Sequence, residues 1–183
     1  MAQKHVYFFG GGKADGSRDM KDLLGGKGAN LAEMTNVGVP VPPGFTISTD
    51  VCEYYDQHGN SYPAGLEEEV EKNRKRLEEM MGKKLGDRND PLLVSVRSAA
   101  AISMRGIMDT VLNLGLNDDA VQGLAKISNN ERFAWDSYRR FINMFGDVVM
   151  GVDHEHFEEA LDGFKKKKGV ELDTELDAAD LEE

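Results

Sequence analysis

The sequence predicts an α+β domain with a small sheet and several flanking helices. Two helix-rich stretches surround three short apolar segments that have the length of strands, Val6–Phe9, Gly44–Ser48 and Leu92–Val96. Strands and helices do not alternate regularly along the chain, which argues against a doubly wound parallel sheet. The length of 183 residues suits one globular domain with a real core and is too short for two large ones.

Composition excludes several classes of partner and compartment. The net charge of −11 argues against DNA or RNA as the main partner, because nucleic-acid phosphates are bound through an excess of Lys and Arg. No apolar run approaches the roughly 20 residues of a membrane-spanning helix, and the first residues contain no secretory signal. The single cysteine, Cys52, cannot form an internal disulfide and is interpreted as a packing residue. We therefore expect a cytoplasmic protein with no membrane contact.

In the first half of the chain, glycines and prolines separate the predicted elements. A helix follows Gly25–Gly28 and ends near Asn36–Gly38, where a glycine suits a left-handed C-terminal position. Prolines make residues 39–43 extended. Two helices come next, from Ser48 or Thr49 to about His58 and from Leu66 to Met81. The second is dense in charge, which indicates a solvated face with i,i+4 pairs rather than a binding surface.

The second half is predicted to be mainly helical. Residues 83–89 are expected to form a loop, and Asn117 to cap a helix over residues 118–127. The most periodic segment, Arg132–Met150, should place its aromatic side chains in the core. A helix over Asp153–Lys168 ends in four lysines, which suit the helix dipole better than a nucleic-acid patch. Asp177 begins a helix that is too short to stand alone, so we expect the chain to be part of a longer polypeptide.

The first candidate site is the stretch Pro91–Asn117. An apolar run ends at Arg97, and a loop of small residues follows, which includes Ser103 and Gly106 and leads to Asp109 and Thr110. Arginine binds phosphate oxygens through two parallel N–H groups, and small side chains allow backbone N–H groups to approach an anion. Equally, Arg97 can cap the strand with a surface salt bridge. Asp109 can contact a metal or a substrate hydroxyl, or cap the next segment.

The second candidate site is Gly25–Gly28, where two glycines, Lys27 and a further glycine precede a helix. Glycines expose backbone N–H groups, a helix N-terminus favours negative charge, and Lys27 adds a positive charge. The spacing is not that of a Walker A motif, and the alternative is a glycine-rich helix entry with a surface lysine. Two phosphate-suited sites in one chain favour a polyanionic ligand such as a nucleoside triphosphate.

Other polar residues carry weaker signals. The four histidines and one cysteine form no HExxH, CxxC or Cys/His cluster, so we expect no metal site in this chain. His154 and His156 are two positions apart on a predicted helix and point to different faces. Of the adjacent pair Arg139 and Arg140, at least one faces away from the aromatic stripe, and we favour a salt bridge for it.

The sequence resembles the N-terminal nucleotide-binding region of the pyruvate, phosphate dikinase family. The resemblance covers nearly the whole chain in colinear order. It rests on these segments: LLGGKGANLAEM (residues 23–34), VPVPPGFTIST (39–49), PLLVSVRS (91–98), MDTVLNLGLND (108–118) and RFAWDSYRRFINMFGDVVM (132–150).

The resemblance implies an ATP-grasp-like fold divided between subdomains, of which residues 1–183 form the N-terminal part, truncated before the second subdomain. It implies ATP as ligand, with Mg²⁺ held by residues outside this chain, and transfer of a phosphoryl group to a histidine on an absent domain. Pyruvate, ATP and phosphate would give phosphoenolpyruvate, AMP and diphosphate. The implied partners are the remaining domains of the same enzyme, in a homodimer. The implied phosphate-binding residues are Lys27, Arg97, Ser103, Gly106, Asp109 and Thr110.

Two positions depart from the family pattern. The family reads SVRSGA where this chain has Ala99, and SMPGMMDT where it has Arg105. Replacing glycine with Ala99 restricts the backbone, and replacing proline with Arg105 loosens the loop. These departures support an alternative, a non-catalytic nucleotide-binding or interaction module that retains the fold.

Overall fold

The computed structural model describes residues 3–98 and 110–183, and the chain divides into two compact units. Of the described residues, the first unit contains 3–82 and 98, and the second contains 83–97 and 110–183. The strands are β1 Val6–Gly10, β2 Lys13–Ala14, β3 Gly44–Ile47, β4 Lys84–Leu85, β5 Pro91–Leu92, β6 Val94–Arg97 and β7 Thr110–Leu114. The helices are α1 Lys21–Asn36, α2 Thr49–Gln57, α3 Leu66–Met81, α4 Ala120–Ser128, α5 Glu131–Val148, α6 His154–Lys168 and α7 Ala178–Glu182.

A three-stranded antiparallel sheet, in the order β2-β1-β3, forms the centre of the first unit. Val6 pairs with Ile47 and Phe9 with Gly44 along the β1–β3 ladder. The core packs Val6 of β1, Val51 of α2 and Leu66 of α3 together, with Phe45 and Val70 beside them. The side chains of β1 are therefore covered by helices that follow it in the sequence.

The second unit contains two separate two-stranded ladders. Strands β4 and β5 pair in parallel, and β6 and β7 pair antiparallel. The core of this unit lies between α4 and α5, where Val121, Ala125 and Ala134 are buried against Leu124 and Trp135. Both units thus combine helices with small sheets, and the predicted α+β class is confirmed.

Most predicted helices are confirmed, including Leu66–Met81 with its predicted bounds. Gly82 ends that helix with a left-handed backbone (φ 65°). Asn117 Oδ1 accepts hydrogen bonds from Asp119 N and Ala120 N, as expected for the residue that caps α4. The Asp177 carboxylate accepts from Asp180 N at the start of α7. None of the described helices is long and apolar enough to cross a membrane.

The predicted buried strand over Leu92–Val96 is wrong. The run divides at Leu93, because Leu92 pairs with β4 whereas Val94 to Arg97 pair with β7. Leu92 is buried, but Val96 is 49% exposed. The predicted loop over residues 83–89 is also partly wrong, since it contains β4. An apolar run has no period that shows where one hydrogen-bonded ladder ends and another begins.

Two predictions of burial are also wrong. Cys52 is exposed, so it is not a packing residue. Only part of the apolar side of helix α5 faces the core: Ala134 is fully buried, whereas Phe133 is 50% exposed and Val148 is 40% exposed. The small side chain of Ala134 lets α4 and α5 approach closely, and the large side chains beside it are displaced toward the surface.

Candidate functional site

The Gly25–Gly28 segment lies inside α1, where the helix is kinked. Gly25 has φ 65° and ψ 166°, a backbone conformation that only glycine adopts readily. The helical backbone resumes at Gly26, so the segment from Gly26 onward begins a second helical run. The first N–H groups of a helical run have no carbonyl partner within it and carry partial positive charge. The predicted helix entry is thus present, although one helical turn precedes it.

The other two glycines serve different purposes. A Cβ atom at Gly28 would lie 2.8 Å from Thr46 Cγ2 and 3.0 Å from Thr46 Oγ1, so Gly28 permits close packing of α1 on β3. A Cβ atom at Gly26 would meet nothing within 4 Å. Packing inside the protein therefore does not require glycine at position 26, and the space above its backbone is open to a ligand.

Lys27 is half-buried, and its Nζ atom donates a hydrogen bond of 3.3 Å to the carbonyl oxygen of Ser98, which belongs to the same unit. This contact places the Lys27 ammonium group near the residue at which the predicted phosphate loop begins. The sequence predicts a lysine in a glycine-rich helix entry, and the structure shows that this lysine is oriented toward Ser98.

Arg97 and Thr110 lie opposite each other on neighbouring strands. They are register partners in the β6–β7 ladder, so their side chains lie on the same face. Arg97 is exposed and Thr110 is half-buried. Within residues 3–98 and 110–183, the Arg97 guanidinium makes no ion pair, so the salt bridge considered from the sequence is not seen there. Two members of the predicted site are therefore adjacent in the second unit.

The predicted site residues Ser103, Gly106 and Asp109, together with Ala99 and Arg105, lie outside the described residues. Lys27 belongs to the first unit, whereas Arg97 and Thr110 belong to the second.

An open cleft of about 610 Å³ lies between β1 and α3 in the first unit. Its residues carry both signs of charge, and Lys27 is not among them. Lys4 pairs with Asp15 at 2.8 Å, and Glu69 accepts hydrogen bonds from the backbone N–H groups of His5 and Val6. The charges of Lys4, Asp15 and Glu69 are thus satisfied by protein groups, and the lining of the cleft contains none of the predicted site residues.

The described residues contain no group of three or more His, Cys, Asp or Glu side chains that could hold a metal ion. His154 lies 3.5 Å from Asp147 and 3.3 Å from Glu158, at an exposed position. The pair Arg139 and Arg140 is confirmed as an ion-pair site, because Asp136 contacts both guanidinium groups, at 2.8 and 2.9 Å. Burial opposes ionisation of Asp136, but Arg139 and Arg140 lower its pKa overall.

Comparison with known proteins gives a consistent result. Residues 21–78 match the profile of a family described as "Pyruvate phosphate dikinase, AMP/ATP-binding domain". The whole chain is 60% identical over 182 residues to the chloroplastic pyruvate, phosphate dikinase of Mesembryanthemum crystallinum. It is 59% identical over 177 residues, 97% of the chain, to the pyruvate, phosphate dikinase of Rhizobium meliloti (strain 1021).

The chain matches the N-terminal region of pyruvate, phosphate dikinase. It spans 19% of the length of the Mesembryanthemum crystallinum dikinase and 20% of that of the Rhizobium meliloti dikinase. The resemblance predicted from the sequence is thereby confirmed. The segment that matches the pyruvate, phosphate dikinase profile includes Lys27 and ends before Arg97.

The prediction of a cytoplasmic compartment is wrong. The pyruvate, phosphate dikinases of Mesembryanthemum crystallinum, Flaveria trinervia and Arabidopsis thaliana are named as chloroplastic proteins. A single cysteine argues only against a disulfide framework. It does not distinguish one disulfide-free compartment from another, so composition was insufficient for this inference.

Sequence reasoning missed the separate roles of the three glycines around Lys27. The available signal was the pair Gly25–Gly26, since two consecutive glycines are unusual inside a helix and indicate a break. The sequence did not show which glycine adopts the left-handed backbone and which one leaves open space. That assignment depends on Thr46, which lies on a strand almost twenty residues further along the chain.

Proposed function

We propose that this chain is the first part of the ATP-binding region of a phosphotransferase of the pyruvate, phosphate dikinase type, with an ATP-grasp-like fold. The observation that carries the proposal is the position of Lys27. Lys27 is half-buried and directly follows Gly26, where the helix resumes after the kink at Gly25 and where the space is open. A lysine and exposed N–H groups at a helix start are suited to triphosphate oxygens. The description of the matched family as AMP/ATP-binding supports the same ligand.

We also propose Arg97 and Thr110, with Ser103, Gly106 and Asp109, as residues that bind phosphate. Arg97 is exposed and has no ion-pair partner among the described residues, so its guanidinium group is available for phosphate. In phosphoryl transfer the protein contributes mainly positioning and charge stabilisation. The proposed role of Lys27 and Arg97 is therefore to neutralise charge that develops on the transferred group.

The remaining parts of the reaction are proposed to lie outside this chain. A histidine on another domain would accept the phosphoryl group, and phosphoenolpyruvate, AMP and diphosphate would be the products. We propose Mg²⁺ as the cation that accompanies ATP. We propose that its protein ligands also lie outside this chain. The other domains of the enzyme and a second copy are the proposed partners, and the chain alone is proposed to be inactive.

Titration of the chain with ATP and Mg²⁺ tests the site. We expect Lys27→Met and Arg97→Met each to weaken binding about tenfold or more, because each removes a charge-assisted hydrogen bond. Gly26→Ala should also weaken binding, since its Cβ atom would occupy the open space. Lys21→Met is the matched control, because Lys21 is an exposed cation of the same helix before the kink. Unchanged binding by Lys27→Met would refute the proposal.

A non-catalytic nucleotide-binding module is the alternative function, and the departures at Ala99 and Arg105 favour it. The two functions differ in phosphoryl transfer rather than in ATP binding. The chain can be supplied with the remaining domains of a relative, such as the Rhizobium meliloti dikinase, and phosphorylation of the histidine domain measured. Restoration of transfer by Ala99→Gly with Arg105→Pro, but not by the original chain, would favour the module.

A further inference from the structure

Residues 170–183, here called the C-terminal strap, are held against α5 and α6 in the second unit. The strap contains a 3₁₀ turn at Asp173–Glu175 and helix α7. Arg132 of α5 donates from Nε to the carbonyl oxygen of Leu176 at 2.8 Å and from Nη2 to that of Asp173 at 2.7 Å. One guanidinium group therefore holds two backbone carbonyls of the strap.

The lysine run at the end of α6 provides a second set of contacts. Lys165 Nζ lies 2.9 Å from Asp162 Oδ1, within α6, and 3.1 Å from Asp173 Oδ1 in the strap. Lys168 Nζ lies 2.5 Å from Asp180 Oδ1, and Lys167 Nζ lies 3.2 Å from Glu183 Oε1. Lys166 makes no ion pair with any residue that the structure describes. Three of the four lysines thus contact acidic residues of the strap.

The strap also has structure of its own. Asp177 and Asp180 cap each other's backbone N–H groups, at 3.0 and 3.1 Å. Glu175 Oε2 accepts from Glu171 N and Leu172 N, at 3.1 and 2.8 Å. These local bonds do not depend on α5 or α6. The strap can therefore detach without losing all of its hydrogen bonds.

Only one residue of the strap is buried, and three other apolar residues of the strap are half-buried. Leu176 is 1% exposed and is the only buried residue of the strap, whereas Leu172 is 62% exposed. The strap is thus attached by Leu176, by the two hydrogen bonds from Arg132 and by ion pairs whose side chains range from 7% exposed for Asp180 to 69% exposed for Lys167. Surface ion pairs are weak individually and are screened by salt. Segments with few buried apolar contacts open more readily than a core.

We propose that the C-terminal strap is a salt-sensitive latch, which detaches from α5 and α6 while the α4–α5 core stays folded. Detachment frees Lys165, Lys167 and Lys168 from their acidic partners in the strap and turns the end of α6 into a basic surface. Lys165, Lys167 and Lys168 then have two states, in contact with acidic residues of the strap in the closed latch and free of them in the open one. This inference is independent of ATP binding.

Amide hydrogen exchange of the 183-residue chain, read by mass spectrometry, tests the latch. On raising NaCl from about 0.1 M to about 1 M, we expect exchange in residues 170–183 to accelerate several-fold, because the screening length falls from about 10 Å to about 3 Å. Exchange in α4 and α5 should change little. Lys168→Gln should accelerate strap exchange about two- to fivefold at low salt and have little effect at high salt. Lys166→Gln, in the same run, should have no effect at either salt concentration.

The substitution Leu176→Ala distinguishes the contribution of apolar burial to strap attachment from that of the ion pairs. It should accelerate strap exchange at both salt concentrations, since burial of an apolar side chain is not screened by salt. Strap exchange that is independent of salt and of Lys168→Gln would overturn the proposal. So would strap exchange that always equals exchange in α4 and α5, because the strap would then open only when the whole unit unfolds.

Discussion

Gly26 and Gly28 lie two positions apart in α1, and the atoms around them differ. At position 28 a Cβ atom would lie within 3.2 Å of atoms of both Thr46 and Leu24. At position 26 it would meet no atom within 4 Å, and the backbone there is helical. Close packing therefore explains one glycine, and the proposed ligand explains the other.

We predict that Gly28→Ala lowers the free energy of unfolding by about 1–3 kcal/mol, because an additional carbon in a tight contact forces α1 away from β3. Gly26→Ala is the matched control and should raise the free energy of unfolding by up to about 1 kcal/mol, since alanine favours helix. Urea unfolding measures both. Equal destabilisation by the two substitutions would show that the open space at Gly26 is not present in solution.

Tyr138 donates a hydrogen bond from its hydroxyl group to Asp118 Oδ1, at 2.7 Å. Burial, followed by the bond to Asp118, raises the pKa of Tyr138 to about 12 from an ordinary value of 10.0. We predict that the protonated Tyr138 hydroxyl stabilises the folded chain fully below pH 10, and that this stabilisation is lost as the pH rises through about 12.

Absorbance titration near 295 nm, compared between the chain and Tyr138→Phe, isolates the ionisation of this residue from that of the other tyrosines. Asp118→Asn should lower the pKa of Tyr138, because it removes the negative charge that opposes ionisation. A difference titration centred near the ordinary value of 10.0 would contradict the hydrogen bond.

Consecutive asparagines separate helices α4 and α5, and each has its own task. Asn129 ends α4 with a left-handed backbone (φ 51°). Asn130 begins α5, where its Oδ1 accepts from Phe133 N at 2.9 Å. A short polar side chain suits both positions, which is why this boundary could be predicted from the sequence.

We predict that Asn130→Ala destabilises the second unit by about 1 kcal/mol, because the cap of α5 is lost. Asn129→Gly is the neighbouring control and should change stability by less than about 0.5 kcal/mol, since glycine adopts the left-handed backbone without strain. Thermal or urea unfolding compares the two. A larger effect at position 129 than at 130 would be inconsistent with this assignment of roles.

At the scale of the whole molecule, each compact unit has its own buried cluster. Val6, Val51 and Leu66 form one, and Val121, Ala125 and Ala134 form the other. A unit with its own core can respond to a local change by itself. Of the predicted phosphate-binding residues, Lys27 lies in the first unit and Arg97 and Thr110 lie in the second.

We predict that Gly28→Ala accelerates amide exchange in the first unit and that Asn130→Ala accelerates it in the second. The exchange rate should rise about tenfold for each 1.4 kcal/mol of destabilisation, if opening of the affected unit governs exchange. Mass spectrometry of the exchanged chain reads both units in one experiment. Acceleration of both units by either substitution would show that they unfold together.

The sequence by itself determined the helices, their caps, the α+β class and the resemblance to pyruvate, phosphate dikinase. These features depend on local periodicity, on capping residues such as Asn117 and Asp177, and on short motifs, all of which can be read within a few positions. Residue types suited to phosphate beside small ones also identified Lys27 and Arg97 as candidates, and the resemblance implied Thr110. The roles of these residues in binding ATP stay a prediction.

Only the tertiary structure decided where the apolar run at Leu92–Val96 divides, which glycine of α1 faces open space and what the lysines of α6 contact. Leu92 pairs with β4, whereas Val96 pairs with β7. Gly28 is required because of Thr46, and Lys168 is paired because Asp180 lies against α6. Each answer depends on an atom from another element, and no local pattern specifies which elements meet.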